Sequence, residues 1–173
     1  LLSRDAAFGK PADASRKGLT PRGYSTLRWI RVTDSPVPWS QRVAEWSGLT
    51  LDSWTSLELD SRTPAPVVVG EPVTVSAYLR PSAAFSVYWG VIPQDATGTA
   101  LSGSQGSPEA LTADEWQRIS YTYLPQSPTV SLYPVLYYNQ GGATAQDRLE
   151  ISTPQLEYGQ ERTSSAIGGG SGT

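Results

Sequence analysis

The stretch GEPVTVSAYLRP, residues 70–81, decides the fold class because its side chains alternate in polarity. From Val73 to Leu79 every second residue is apolar, and the residues between them run through polar side chains to Tyr78 and Arg80. A period of two places successive side chains on opposite faces of an extended chain. We therefore predict a β-strand whose apolar face lies in a core and whose outer face carries Tyr78 and Arg80.

Similar short runs recur along the chain, separated by Gly, Pro, Asn and Asp. The other predicted strands lie at residues 24–33, 39–46, 57–59, 84–93, 119–123, 129–139 and 147–159, the last with a bulge at Pro154. Residues 94–110 are predicted as a long loop, and Thr112–Glu115 as one helical turn. About eight or nine short strands without a long helix predict an all-β fold, an antiparallel β-sandwich of jelly-roll type. In it, the strands Val73–Leu79 and Ile119–Tyr123 are expected to be interior.

Composition excludes several functional classes. The chain has no Cys and no His, which rules out disulfides, thiol nucleophiles, Ser–His–Asp triads and the usual zinc sites. Its net charge is −3 and no cluster of Lys and Arg stands out, so nucleic acid is not an expected partner. No apolar run is long enough to cross a bilayer, so membrane insertion is not expected either.

Domain organisation follows from the same patterns. Residues 1–23 are predicted to be an irregular arm packed on the domain, with a disordered leader as the alternative. Residues 24–163 form the sandwich, and the Gly/Ser-rich residues 164–173 form a flexible tail or linker. The last strand is expected to return beside the first and to place Leu149, Ile151 and Leu156 in the core. Gly159 is expected to release the chain from the sheet.

Three segments that occur in a fixed order carry a resemblance to a known family: VTVSAYLRP (73–81), EWQRISYTY (115–123) and ISTPQLEYGQERTS (151–164). Together with the opening LLSRDAAF (1–8), they resemble the carbohydrate-binding-module-like jelly-roll domains of tailed-phage structural proteins. The resemblance implies a non-enzymatic virion module, part of a minor tail or tail-tip protein, that is extracellular when functional. Its implied partners are other virion proteins, copies of itself and host surface glycan. Two alternatives remain open: a capsid decoration or head-fibre protein, and a carbohydrate-binding module of a secreted glycoside hydrolase.

Aromatic side chains are the candidate binding residues. Sugar recognition needs flat faces for the apolar side of a ring, with hydrogen-bonding groups nearby. Tyr78 and Arg80 are predicted on an outer face, and Tyr88, Tyr133 and Tyr137 on neighbouring strands of the same sheet. These five residues are the predicted glycan site. The alternative is that the aromatic side chains fill a second packed face or a subunit interface.

Carboxylates are the remaining candidates for chemistry. Asp114–Glu115, Asp147, Glu150 and Glu157 are the densest acidic positions, but their spacing does not establish the fixed carboxylate pair that a glycosidase requires. We therefore predict no catalytic residues and no cofactor. Asp147 and Glu150 could in principle serve a structural calcium ion, which takes oxygen ligands. No dense acidic loop is present, so no metal site is predicted.

The EWQR segment, residues 115–118, is assigned a structural role. Trp116 is expected to anchor the corner between the long loop and the next strand. Arg118 is expected to pair with a carboxylate or to cap a carbonyl group.

Overall fold

The computed structural model describes residues 18–38, 40–49, 55–139 and 146–159. Within these residues the chain forms twelve β-strands and no helix, so no helix there could span a membrane. The strands are β1 (Leu19–Pro21), β2 (Thr26–Arg31), β3 (Arg42–Ser47), β4 (Ser56–Leu59), β5 (Ala65–Pro66), β6 (Val73–Pro81), β7 (Phe85–Gln94), β8 (Ser104–Gln105), β9 (Glu109–Leu111), β10 (Gln117–Tyr123), β11 (Ser131–Asn139) and β12 (Arg148–Tyr158).

Two antiparallel sheets form the sandwich, as the sequence predicts. The seven-stranded sheet has the order β1-β4-β11-β7-β8, with β5 also beside β11 and β9 also beside β7. The five-stranded sheet has the order β10-β6-β12-β3-β2. The two sheets share one hydrophobic core.

The alternating side chains of β6 and β7 explain why the sheets pack together. In β6, the predicted apolar face from Val73 to Leu79 is at most 1% exposed at every second residue. In β7, the residues from Phe85 to Val91 are likewise buried at alternate positions and join the same core cluster. Trp46 of β3 is fully buried in this cluster. Burying each large apolar side chain stabilises the fold by about 1.5–3 kcal/mol.

The last strand lies in the middle of the five-stranded sheet. β12 pairs with β6 on one side and β3 on the other, so the prediction that it lies beside the first strand is wrong. The reason is that β12 is buried on both faces, with Leu149 and Ile151 in the core and Gln155 under the opposite surface. Leu156 is also in the core, as predicted.

The bulge predicted at Pro154 is confirmed. The register of β12 against β6 shifts between Ser152 and Gln155, and Thr153 takes a φ of 46°. Gly159 has a φ of 135°, and its N–H donates to the oxygen of Pro72 at 2.8 Å. The residues after Gly159 lie outside the described part of the chain, as do residues 1–17 of the predicted arm.

Three other predictions need correction. The strand Ile119–Tyr123 is part of β10, which is an edge strand and not interior, because within the described residues it pairs with β6 alone. The predicted long loop 94–110 contains β8 and the first two residues of β9, and both strands pair with β7. Thr112–Glu115 is a tight turn and not helical, because Asp114 adopts a φ of 60° and its N–H donates to the oxygen of Pro81.

Strand limits near the start of the chain also differ. Residues 19–21 of the predicted irregular arm form β1, which pairs with β4. The strand predicted at 39–46 begins at Arg42, and Trp39 lies outside the described residues. The short strand predicted from Leu57 and Leu59 is confirmed as β4.

Candidate functional site

A groove crosses the outer face of the seven-stranded sheet. It encloses about 530 Å³ above β4, β7 and β11 and reaches the turn that follows β1. Because strand side chains alternate, residues between the core positions of these strands face outward, and several of them line the groove. Its lining comprises Arg22, Gly23, Ser56, Glu58, Ile92, Tyr133, Val135 and Tyr137.

One end of the groove is built on a pair of stacked tyrosine rings. Tyr137 and Tyr88 are directly opposite in the β11–β7 register, with ring centroids 4.9 Å apart and planes 17° apart. Tyr137 lines the groove, whereas Tyr88 does not and instead supports Tyr137 as its stacking partner. Tyr88 covers one face of Tyr137, and a ligand in the groove would contact the part of the Tyr137 ring that lines it.

The absence of a side chain at Gly90 leaves room for the Tyr137 ring. A Cβ atom at Gly90 would lie 2.9 Å from Cε2 of Tyr137 and 3.0 Å from the main-chain oxygen of Ser104. Carbon atoms do not approach this closely without displacement, so a side chain at position 90 would displace the ring. The glycine therefore allows the Tyr137 ring to pack closely against β7.

The tyrosine hydroxyls of the groove stay protonated at neutral pH. Burial raises the pKa of Tyr137, and the neighbouring Tyr88, Tyr133 and Glu58 raise it further. Burial, followed by Glu58, also raises the pKa of Tyr133. Each hydroxyl can therefore both donate and accept a hydrogen bond.

An ion pair forms the polar side of the groove. Nη2 of Arg22 donates to Oε2 of Glu58 at 2.8 Å, and the main-chain N–H of Arg22 donates to the oxygen of Ser56 at 2.8 Å. The Arg22 side chain is 53% exposed and that of Glu58 is 13% exposed. The hydrogen bond to Glu58, together with its charge, raises the pKa of Arg22. The groove thus places fixed donors and acceptors beside flat aromatic faces.

The five residues predicted as one site are divided between the two sheets. Tyr78 and Arg80 lie on β6 of the five-stranded sheet, whereas Tyr88, Tyr133 and Tyr137 lie on β7 and β11 of the other. The prediction of a common sheet is therefore wrong. The short link between β6 and β7 resembles a hairpin in the sequence, yet it carries the chain from one sheet to the other.

Tyr78 and Arg80 are held in a packed network on the five-stranded sheet. The guanidinium group of Arg118 lies 5.3 Å from the Tyr78 ring centroid, and that of Arg80 lies 4.7 Å from the Trp116 ring centroid. Arg80 also forms ion pairs with Glu150 and Asp34. This arrangement matches the packed-face alternative for these two residues.

The EWQR segment contributes to the same network. Trp116 stacks with Arg80 at the start of β10, close to the predicted corner. Nη2 of Arg118 donates to Oε1 of Gln155 at 2.6 Å and contacts Oγ of Ser76 at 3.1 Å. Oε1 of Gln155 is the carbonyl oxygen of a side-chain amide, which agrees with the prediction that Arg118 caps a carbonyl group, and the Ser76 hydroxyl is an additional acceptor.

The acidic candidates lie away from the groove. Glu150 is paired with Arg80, and Asp147 accepts a hydrogen bond from Oγ of Ser82 at 3.1 Å. Across the described ranges, no group of three or more acidic side chains is placed to hold a metal ion. The expectation that no metal is bound stays a prediction.

The sequence analysis did not identify Arg22 and Glu58, which form the polar side of the groove, or the role of Gly90 next to Tyr137. Glu58 stands between Leu57 and Leu59, so the alternation in that predicted strand already indicates an outward carboxylate. Arg22 falls in the predicted irregular arm, where no pattern indicates its position. Gly90 shows its role only through its distances to Tyr137 and Ser104.

Known structures share this architecture, although no family model and no curated protein matches the sequence. The CBM22-1 xylan-binding domain of Paenibacillus barcinonensis Xyn10C superposes with a TM-score of 0.66 at 17% identity, covering 90% of this chain and 93% of that domain. The arabinose-bound α-L-arabinofuranosidase MgGH51 superposes with a TM-score of 0.67 at 18% identity, covering 90% of this chain and 26% of the enzyme. The enzymatically active domain of tailspike protein 4 from bacteriophage CBA120 gives a TM-score of 0.54 at 7% identity, covering 82% and 19%.

These similarities establish the fold. The chain has the jelly-roll β-sandwich found in carbohydrate-binding modules of family 22, which confirms the predicted fold class and the carbohydrate-binding-module-like architecture. It spans nearly the whole of the xylan-binding domain but about a quarter of the arabinofuranosidase.

Proposed function

We propose that this domain is a non-catalytic glycan-binding module and that the groove on the seven-stranded sheet is its binding site. The observation that carries the proposal is that one groove brings Tyr137 and Tyr133 together with the Arg22–Glu58 ion pair. The fold it shares with xylan-binding domains supports the same ligand class, a neutral polysaccharide such as xylan.

Binding follows from the two kinds of surface in the groove. The apolar face of a pyranose ring stacks on Tyr137, and its hydroxyls exchange hydrogen bonds with Arg22 and Glu58. One stacking contact stabilises the complex by about 1 kcal/mol, and each hydrogen bond to a charged group by about 1.5–3 kcal/mol. Together these contacts sum to about 4–7 kcal/mol, which corresponds to a dissociation constant of roughly 0.01–1 mM. The expected binding is therefore weak and reversible.

The charges of the groove support a role without catalysis. Glycoside hydrolysis requires two carboxyl groups flanking the scissile bond. Among the described residues that line the groove, Glu58 is the only acid, and Arg22 holds it in an ion pair. A single neutralised carboxylate cannot act as both acid and base.

We propose a phage virion as the setting of this module, most simply a minor tail protein that contacts the host envelope. The motifs in residues 73–81, 115–123 and 151–164 support this setting, and a tailspike domain has a related fold. A module of a secreted glycoside hydrolase is the alternative, supported by the xylanase-derived neighbours. Genes for tail assembly next to this gene are expected, and a hydrolase domain in the same reading frame would refute the virion setting.

The binding site is tested by titration calorimetry of the full chain with xylan and with bacterial envelope polysaccharides. Tyr137→Ala and Tyr133→Ala are each expected to weaken binding several-fold, because stacking is worth about 0.5–1.5 kcal/mol per ring. Tyr78→Ala is the matched control, since it removes a tyrosine from the opposite sheet. Absence of binding to every glycan, or an equal loss with Tyr78→Ala, would refute the assignment.

A further inference from the structure

An apolar patch, here called the end patch, lies at one end of the sandwich. Six large hydrophobic side chains stand out as exposed in the described part of the chain, and five of them belong to this patch. They are Val68, Val69, Leu124, Val130 and Tyr158, each between 43% and 58% exposed. Exposed apolar side chains that cluster in this way mark interaction surfaces more often than scattered ones do.

Hydrogen bonds hold the end patch in one arrangement. The turn after β5 and the turn before β11 are joined where Val67 N–H donates to the oxygen of Val130, and Gly70 N–H to that of Pro125, both at 3.0 Å. Oη of Tyr158 donates to the oxygen of Pro66 at 2.7 Å. Because these contacts exist before any partner binds, little conformational entropy is lost on association.

The composition of the patch selects the kind of partner. Its two turns, residues 67–71 and 124–130, contain one charged residue, Glu71. Anionic lipid and nucleic acid are attracted by clustered Lys and Arg, and these turns have neither. Four of the five side chains are Val or Leu, which lack the flat faces that bind sugar rings, and Tyr158 is the single aromatic ring among the five. An apolar protein surface is the chemistry that fits.

We propose that the end patch is the contact between two copies of this chain in a weak, symmetric dimer. In a two-fold interface the same residues of each copy face each other, so a charged centre would oppose like charges. The end patch has an uncharged centre and is therefore self-complementary. This proposal does not depend on glycan binding.

The exposed area of the end patch indicates a weak contact between the two copies. The five side chains expose roughly 400 Å² per copy, about half of what each partner buries in a stable complex. The exposed Pro66 and Pro128 flank the patch and extend it. A contact of this size belongs to the class of weak, transient interfaces, so the expected dimer is reversible and forms at high concentration. Two linked grooves would then bind a polysaccharide with avidity.

Sedimentation velocity of the full chain, from about 5 µM to about 1 mM, tests the proposal. The mean sedimentation coefficient is expected to rise with concentration towards that of a dimer. Val69→Asp and Leu124→Asp should each hold the chain as a monomer, because each places two carboxylates against each other. Tyr24→Asp is the matched control, since Tyr24 is 84% exposed and lies outside the patch. It should dimerise like the wild type.

An Asp variant that fails to fold would also fail to dimerise, so a second measurement detects the dimer directly by spectroscopy. The chain has no Cys, so Val69→Cys provides one attachment point for a spin label. Pulsed dipolar spectroscopy at high concentration should then give a label-to-label distance of about 20–30 Å, as expected for residues near a two-fold contact of this size. A monomer at all concentrations, equal loss of the dimer with Tyr24→Asp, or no distance in that range would overturn the proposal.

Discussion

Replacing Gly90 by Ala tests whether the stacked tyrosines depend on the missing side chain. The added Cβ would lie 2.9 Å from Cε2 of Tyr137 and 3.0 Å from the oxygen of Ser104. The Ser104 oxygen cannot move by itself, because Ser104 pairs with Val91 at the sheet edge. The Tyr137 ring must therefore shift, which separates it from Tyr88 and changes the face presented to the groove.

The size of the effect follows from two opposing contributions. Overpacking costs about 1–3 kcal/mol, and the reduced freedom of the unfolded chain returns about 0.4–1 kcal/mol. We expect a net loss of roughly 0–2.6 kcal/mol in the free energy of unfolding, or a melting temperature lower by up to about 10 °C. Loss of the stacked geometry should also weaken glycan binding by about 2–13-fold, the equivalent of 0.5–1.5 kcal/mol.

Urea unfolding measures the stability change, and titration calorimetry measures the affinity. Gly103→Ala is the matched control, because its nearest neighbour is Cδ1 of Ile92 at 3.2 Å, the end of a flexible side chain. Gly103→Ala should change both quantities less than Gly90→Ala does. If Gly90→Ala keeps wild-type stability and affinity, the Tyr137 ring does not depend on the missing side chain at position 90.

Three further predictions concern packing and titration. Leu149→Ala should lower the free energy of unfolding by about 2–5 kcal/mol in urea, because it opens a cavity in a fully buried position; a loss below 1 kcal/mol would contradict the central placement of β12. The pKa of Tyr137 is raised in the folded state, so its stabilising contribution is complete below about pH 10 and is lost as the pH rises through the folded pKa. The free energy of unfolding, measured between about pH 8 and 11.5, should therefore change less with pH in Tyr137→Phe than in the wild type. The hydrogen bond from Arg80 lowers the pKa of Asp34, so that contribution is present above about pH 4 and is lost as the pH falls through the folded pKa; Asp34→Asn should flatten the acid side of the stability profile, and an unchanged acid side would argue against this ion pair in solution.

Much of the fold could be predicted because alternation of polarity records burial directly. β6, β7 and β11 were located from their own residues, and the bulge in β12 from Pro154. The order of the strands is not recorded locally. Whether β10 is an edge strand depends on which strand pairs with it, and its half-buried tyrosines look the same in either position.

The candidate site was predictable in part for the same reason. Tyr133 and Tyr137 are predicted as binding residues on strands that neighbour the strand of Tyr78, and both line the groove. Tyr78 was grouped with them because two-residue periodicity gives the face of a strand but does not say which sheet contains the strand. Arg22 is distant from Glu58 along the chain, and only the pairing of β1 with β4 brings the two together.

The central position of β12 constrains the order of events during protein synthesis. Of the described strands, β12 (residues 148–158) leaves the ribosome last, yet it separates β6 from β3 in the five-stranded sheet. Until that strand emerges, the nascent chain holds two unfinished halves, β10-β6 and β3-β2, with unpaired inner edges. At elongation rates of about 5–20 residues per second, the halves wait several seconds for β12, a time in which exposed edges can associate with other chains. Cellular yield of this domain should therefore depend on chaperone capacity more than its final stability suggests.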